Sequence, residues 1–208
     1  MGDLVLREDE VGPVMLALRA GGIEQTALHN HLLRESPAIM YMHIHSHGDP
    51  TRAAAAIHAA LALTTTPFAA PASTAPPSAG APELDTAAIA AALGHPGKLN
   101  GTVYQVSVAR VETIRDGETI IPPTMGVATA INLQATTSGK AVATGDFVLL
   151  ALEVNPVIQA LTQHHIAVTA VHSHMLTEEP RLFFMHFWGN DDAVALARGL
   201  REALNVLR

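Results

Sequence analysis

The sequence predicts an α+β protein made of two related β-α-β-β-α units, with mainly antiparallel sheets and helices packed on one face of each sheet. Three observations support this fold class. Hydrophobic residues make up 49% of the 208 residues and charged residues 15%, which supplies enough apolar surface for a core and excludes a disordered chain. The chain also matches itself after a shift of 143 residues. In both matching segments, short apolar strands and helical stripes follow one another in the same order.

The internal match is long and free of gaps. Residues 2–43 align with residues 145–186, and 20 of these 42 positions are identical. A match of this length at a single offset is typical of a duplicated structural unit. We therefore predict an internally duplicated protein.

The duplication divides the chain into three predicted parts. The first repeat covers residues 1–63, a Pro/Ala-rich linker covers 64–84, and a second, complete repeat covers 85–208. The segment 85–144 has no counterpart in the first repeat, which is therefore predicted to be truncated at its N-terminus. Its sheet should have an open edge, which we expect the second repeat or another chain to cover, the latter giving a homodimer.

The first repeat is predicted to contain a short first strand, two helices and a further pair of antiparallel strands. Four apolar residues recur at the i, i+3, i+4, i+7 spacing of one helix face: Val11, Val14, Met15 and Leu18. Gly21 and Gly22 should end that helix. Strands are predicted over 23–31 and 38–45, with a turn at 35–37 between them, and Asp49 should cap a second helix.

The second repeat is predicted to have the same elements. Its first helix carries the stripe Val154, Val157, Ile158 and Leu161, with Asn155 as N-cap and Pro156 at the first helical position. Its strands are predicted over three segments: 147–150, 166–174 and 181–188. A closing helix is predicted over 191–207.

Additional elements are predicted in segment 85–144, which precedes the part of the second repeat that aligns with the first. Asp85 should cap a short helix, and Asp116-Gly117 should form the turn of a hairpin between 111–114 and 119–121. Ser138-Gly139 is a second candidate turn. Alternating apolar positions predict a half-buried strand: Val127, Thr129, Ile131 and Leu133.

Composition excludes several classes of function. The net charge of −7 argues against a nucleic-acid binder, which needs a basic surface. The absence of cysteine removes disulfides, thiolate metal sites and cysteine nucleophiles. No apolar run approaches the roughly 20 residues that span a bilayer. The N-terminus shows no signal peptide, so we expect a cytoplasmic location for the chain as it stands.

Histidine is the residue type that predicts a site, with 12 copies in the chain. A His-x-His-x3-Glu pattern, followed by a third His eight residues after the Glu, occurs twice. It comprises His29, His31, Glu35 and His43 in the first repeat, and His172, His174, Glu178 and His186 in the second. Alternate residues of a strand share a face, so three imidazoles from two paired strands can meet at one point.

Three imidazoles with an open fourth position are the donor set of a catalytic zinc or a similar divalent ion. The Glu of each turn, Glu35 or Glu178, is then a candidate fourth ligand or general base acting on bound water. The first repeat adds His45 and His47 on the same strand, so the two sites should differ.

A purely structural role for the same residues is the alternative. The His and Glu side chains can hydrogen-bond backbone groups of the turns in both repeats. Gly2-Asp3, Gly145-Asp146, Pro37 and Pro180 are also retained, and we expect these residues to form turns. Retention within one chain does not distinguish a site from a scaffold.

Several segments of the chain resemble the LppY/LpqO family of bacterial proteins. They are residues 2–11, 27–37, 41–49, 103–107 and 182–189. The resemblance covers nearly the whole chain outside the linker. It implies a domain of unknown function whose members include predicted lipoproteins and exported proteins, and it assigns no catalytic residues. Family members have a fuller first half than this chain.

Three classes of function follow from these observations. The first, which we favour, is a divalent-metal enzyme such as a hydrolase or lyase, with zinc as the candidate cofactor. The second is a non-catalytic module that binds an unknown small molecule, a cell-wall component or a partner protein. The third is a metal-handling protein, which His45 and His47 would suit. An enzyme should have an open coordination position at its metal. A binding module should bind its ligand without metal, and a metal-handling protein should hold its metal in a labile site.

Overall fold

The computed structural model describes residues 1–68, 83–137 and 139–207. The chain forms two compact units. The first unit contains the described residues of Met1–Gly80 together with His174–Leu176, and the second contains those of Ala81–Ser173 and Thr177–Arg208. The predicted linker at 64–84 and the predicted turn at 138–139 lie partly outside the described residues, at 69–82 and at Ser138.

The first unit is a three-stranded sheet with two helices. In chain order its elements are β1 (Gly2–Arg7), α1 (Glu8–Ala20), β2 (Glu24–His29), β3 (Ile39–His45) and α2 (Pro50–Leu61). The strands are antiparallel in the order β1-β3-β2. Helix α1 ends where the glycine pair predicted, and Asp49 caps α2 by accepting the backbone N–H of Thr51 at 2.8 Å.

The second unit is built around a six-stranded sheet. Its elements before the matching segment are α3 (Thr86–Leu93), β4 (Lys98–Asn100), β5 (Val103–Ala109), β6 (Arg115–Asp116), β7 (Thr119–Ile120) and β8 (Ala128–Thr137). The remaining elements are β9 (Lys140–Leu149), α4 (Val154–Gln163), β10 (Ala167–His172), β11 (Glu178–Glu179), β12 (Phe183–Asp192) and α5 (Ala193–Asn205). The large sheet has the order β10-β12-β9-β8-β5-β4, and β11, β6 and β7 form a small one.

Alternation along the strands gives each main sheet one apolar face. In β3, Met42 and Ile44 are buried in the same cluster as Val14 and Leu18 of α1. In β12, Met185 and Phe187 belong to a cluster that includes residues of α3, α4 and α5, among them Ile89, Leu161 and Leu200. The helices therefore pack against one face, and the intervening strand residues point to the opposite face.

The predicted α+β class is confirmed as a mixed structure with five helices in the described residues and mostly antiparallel sheets. Among the described residues, no helix is both long and apolar enough to cross a bilayer.

Two predicted local features are wrong. Helix α4 begins at Val154 with Glu153 as N-cap, so Asn155 is inside the first turn rather than the cap. Pro156 fits there because the first N–H groups of a helix have no intrahelical partner. The hairpin strands are Arg115–Asp116 and Thr119–Ile120 instead of 111–114 and 119–121. The turn is therefore shifted to Gly117-Glu118, where Gly117 has a φ of 56°.

The Gly-Asp dipeptides are also placed differently from the prediction. Gly2-Asp3 and Gly145-Asp146 lie inside β1 and β9, not in turns. Short polar residues are typical of turns, but here each Asp is paired across the strand with a His. Asp3 is opposite His43, and Asp146 is opposite His186.

Candidate metal site

His29 and His43 lie on the face of the first sheet that is opposite the helices. His43 is in the middle strand β3, next to the buried Met42 and Ile44. A bulge in β2 between Gln25 and Ala27 sets the register so that Ala27 is opposite His43 and His29 is opposite Tyr41. Directly opposed residues of an antiparallel pair share a face, so His29 and His43 point to the same side.

His29 and His43 are in direct contact through their ring nitrogens. Their Nε2 atoms are 2.8 Å apart, and the stacked rings have centroids 4.9 Å apart. The Nδ1 atom of His29 donates to the carbonyl oxygen of Asn30 at 3.2 Å. The Nδ1 atom of His43 is 3.8 Å from Oδ1 of Asp3. Each ring therefore presents Nδ1 to an oxygen and Nε2 to the other ring.

His31 and His174 surround this pair in the first unit. His31 stacks on Tyr41 with ring centroids 3.4 Å apart, and its ring is 5.1 Å from that of His29. The His174 ring is 3.8 Å from the His43 ring, and nitrogens of these two residues lie within 4.8 Å of one another. The hydroxyl of Thr26 donates to the His174 carbonyl at 2.5 Å.

The second unit contains a similar pair, His172 and His186. The two rings are stacked with centroids 4.9 Å apart, and nitrogens of the two lie within 4.8 Å. The Nδ1 atom of His172 donates to the carbonyl of Ser173 at 3.3 Å. The Nδ1 atom of His186 donates to the carbonyl of Gly145 at 3.1 Å, with Oδ1 of Asp146 at 3.9 Å. His174, the third histidine predicted for the second ligand set, is grouped with the first unit.

The predicted bases Glu35 and Glu178 hold turns in the structure. Oε1 of Glu35 accepts the backbone N–H of Ile39 at 3.3 Å, and Oε1 of Glu178 accepts that of Leu182 at 2.9 Å. Glu178 is also 3.3 Å from Nη1 of Arg181. The two backbone contacts close the turn that follows the histidine-bearing strand in each unit. This is the purely structural role that the sequence also allowed for these carboxylates.

His45 and His47 form a separate pair at the end of β3. Their ring centroids are 4.5 Å apart, and nitrogens of the two lie within 4.8 Å. His45 is buried and His47 is exposed.

Burial shifts the pKa of three groups in the first unit. Desolvation lowers the pKa of His29, against the opposing effect of its hydrogen bond to Asn30, so the ring is neutral at pH 7. Desolvation raises the pKa of Asp3 to about 6, although 39% of its side chain remains exposed. Desolvation, followed by the charges of Glu35 and Asp3, raises the pKa of Tyr41.

The sequence interpretation assigned one retained acidic pair, Asp3 and Asp146, to turns and did not single out a second pair, Glu10 and Glu153. Asp3 and Asp146 lie beside the histidines, and Glu10 and Glu153 are buried at helix starts. Each pair is separated by the same 143 residues as the histidines. This common separation could have identified both acidic pairs from the sequence.

The chain matches a family model described as Domain of Unknown Function (DUF1259), over residues 1–63 and 87–206. It belongs to the DUF1259 family. A search of curated proteins and a search of solved structures each found no match. The description of DUF1259 assigns no activity to the family.

Proposed function

We propose that this DUF1259 protein binds a divalent metal ion through the imidazole pair His29 and His43, and through the pair His172 and His186. The observation that carries the proposal is the 2.8 Å contact between the Nε2 atoms of His29 and His43. Zinc is the first candidate because it prefers imidazole nitrogen and is common in His-rich sites.

The protonation of His29 makes its Nε2 available as a metal ligand. A carbonyl oxygen only accepts hydrogen bonds, so the Nδ1 that faces Asn30 carries the proton and Nε2 carries a lone pair. The lowered pKa keeps the ring neutral. A lone pair aimed at another Nε2 requires a proton or a metal ion between the two nitrogens. Zinc–nitrogen bonds of about 2.0–2.1 Å need only a small separation of these rings.

Both rings of the second pair are anchored to the backbone. Nδ1 of His172 and Nδ1 of His186 each donate to a backbone carbonyl, which leaves Nε2 as the nitrogen with the lone pair. Histidine ligands of metals typically donate their second N–H to a carbonyl or carboxylate, because this fixes the tautomer and orients the ring. The hydrogen bonds therefore support Nε2 coordination in each unit.

Metal content tests the proposal. We expect protein purified without a tag or added metal to contain metal by mass spectrometry, or to take up zinc on incubation. His29→Gln and His172→Gln should each lower the bound metal, and the double variant should lose it. His58→Ala, an exposed histidine on α2, is the matched control and should retain it. A double variant with unchanged zinc content would refute the proposal.

We also infer that the two units arose by internal duplication. Their strand orders, β1-β3-β2 and β9-β12-β10 within the larger sheet, correspond. The register shift between Gln25 and Ala27 has an equivalent between Val168 and Ala170. The backbone contacts of Glu35 and Glu178 are also equivalent. Two unrelated segments with chance sequence identity would not share both a bulge and a turn contact at the same shift of 143 residues.

A metal-dependent hydrolase or lyase remains a more specific prediction. Its weakest part is the general base, because the carboxylates of Glu35 and Glu178 already accept backbone hydrogen bonds. The His45 and His47 pair favours metal handling as the second candidate, since one of its rings is exposed and a metal bound there would exchange readily. Kinship with the LppY/LpqO family, a homodimer and an unknown small-molecule partner also remain predictions.

A further inference from the structure

We propose that Asp3 and Asp146 are positioning residues of the two metal sites, each acting through the histidine that it faces across the strand pair. The inference rests on the proposed metal-binding function. In each unit, the carboxylate would stabilise the positive charge that a bound metal places on the imidazole, and so strengthen the nitrogen–metal bond.

The geometry places each carboxylate near Nδ1 of the ring, whereas Nε2 is the nitrogen that would bind the metal. Oδ1 of Asp3 is 3.8 Å from Nδ1 of His43, whose Nε2 faces His29. Oδ1 of Asp146 is 3.9 Å from Nδ1 of His186. In both units the Asp and the His are direct cross-strand partners. For a metal bound at Nε2, a carboxylate that faces Nδ1 would act as an outer-sphere group.

The Asp–His distances of both units exceed the 2.7–3.2 Å of an N–H···O bond. The carboxylates would therefore act on the rings through their negative charge rather than through a direct hydrogen bond. In the second unit, the Gly145 carbonyl takes the hydrogen bond from His186 at 3.1 Å. The ring is therefore oriented by the backbone, while Asp146 adds a negative charge close behind it. Asp146 is 18% exposed and Asp3 39%, so solvent screens the second-unit charge less.

Strand formation does not explain the presence of these residues. Aspartate is depleted in strands because its short polar side chain competes for backbone hydrogen bonds. Nevertheless, an Asp occupies the strand position opposite a histidine in both units. An apolar or β-branched residue there would favour the sheet, so we infer that the carboxylate serves the histidine that it faces.

Zinc affinity in the full chain tests the inference. A competition titration with a chromophoric chelator would measure the first pair in a His172→Gln background and the second pair in a His29→Gln background. We expect Asp3→Asn and Asp146→Asn to weaken zinc binding about 10- to 100-fold in the respective backgrounds. Asp3→Glu should recover most of the affinity, because it keeps the charge. Asp9→Asn, an exposed acid on α1, should have no effect.

The outcomes separate this inference from the function on which it rests. Zinc binding by the two backgrounds, with Asn variants within twofold of them, would overturn the positioning role and leave metal binding intact. If the His29→Gln and His172→Gln single variants bind no more zinc than the double variant, both the positioning role and the proposed metal binding are wrong. If Asp3→Glu weakens binding as much as Asp3→Asn, or circular dichroism shows that the Asn variants unfold, the residues act on strand structure and the inference is wrong.

Discussion

A buried carboxylate lies at the start of α1 in the first unit and at the start of α4 in the second. Oε2 of Glu10 accepts the backbone N–H of Arg7 at 2.9 Å, and Oε2 of Glu153 accepts that of Leu150 at 2.7 Å. In the first unit, Oε1 of Glu10 also accepts the N–H of Thr65 at 2.8 Å. The free N–H groups at a helix start favour negative charge, so this single residue stabilises both the turn and the helix.

Glu10 predicts part of the acid sensitivity of the protein. Backbone hydrogen bonds from Arg7 and then Thr65 lower its pKa below the ordinary value of 4.5. Because the folded-state pKa is depressed, this stabilisation is present above about pH 4.5 and is lost as the pH falls through the folded-state pKa. We expect the melting temperature of Glu10→Gln to fall less steeply below pH 4.5 than that of the wild type. Glu8→Gln, on the same turn and exposed, should follow the wild type.

A second prediction concerns the buried side chain of Arg110. Its side chain is buried and donates to the carboxylates of Glu112 and Glu153 and to the carbonyl of Val148, which uses all three of its nitrogens. Removing one partner of a buried ion pair leaves an uncompensated charge, so Arg110→Met should destabilise the fold by about 3–5 kcal/mol. Urea denaturation would measure this loss. The exposed Arg198→Met should change stability by less than about 0.5 kcal/mol, and an equal loss in both variants would contradict the explanation.

At the scale of elements, the close pairing of β8 and β9 depends on a glycine. A Cβ atom at Gly145 would lie 1.9 Å from the carbonyl oxygen of Ala130, which is backbone and cannot rotate away. The carbonyl of the same glycine accepts the Nδ1 hydrogen of His186. Gly145 therefore allows the close approach of the strands and also orients a candidate ligand.

We expect Gly145→Ala to destabilise the protein by about 3 kcal/mol or more, because β9 must move away from β8. The neighbouring Thr144→Ala introduces the same side chain in the same strand without this collision, and should cost less than about 1 kcal/mol. Chemical denaturation of both variants would decide. A Gly145→Ala protein as stable as Thr144→Ala would show that the strand pair adapts.

At the scale of the whole molecule, bound metal should contribute to stability because an ion that binds only the folded state shifts the unfolding equilibrium. At a free metal concentration 100 times Kd the gain is about 2.7 kcal/mol per site. For a chain of this size, it corresponds to roughly 5–10 °C in melting temperature. We expect a chelator to lower the melting temperature of the wild type and of His58→Ala. The His29→Gln/His172→Gln variant should be insensitive, and an equal response from it would place the stabilising ion elsewhere.

Local patterns in the sequence were enough to predict most elements. The helical stripe that ends at Gly21-Gly22 and the cap at Asp49 are found where they were expected. Helix periodicity and capping depend on residues a few positions apart, so they can be derived from the chain alone. Boundaries were less accurate: Glu153 rather than Asn155 caps α4, because a contact to Leu150 extends the helix start.

The sequence by itself identified the candidate histidines of the site, since the 143-residue offset marks the same histidines in both repeats. Only the tertiary structure decided how they are arranged. Strand pairing placed Asp3 and Asp146 beside histidines, although local pattern assigned them to turns. The fold also grouped His174 with the first unit and directed Glu35 and Glu178 to backbone N–H groups. These contacts depend on register and a bulge, which arise from long-range pairing that no local spacing encodes.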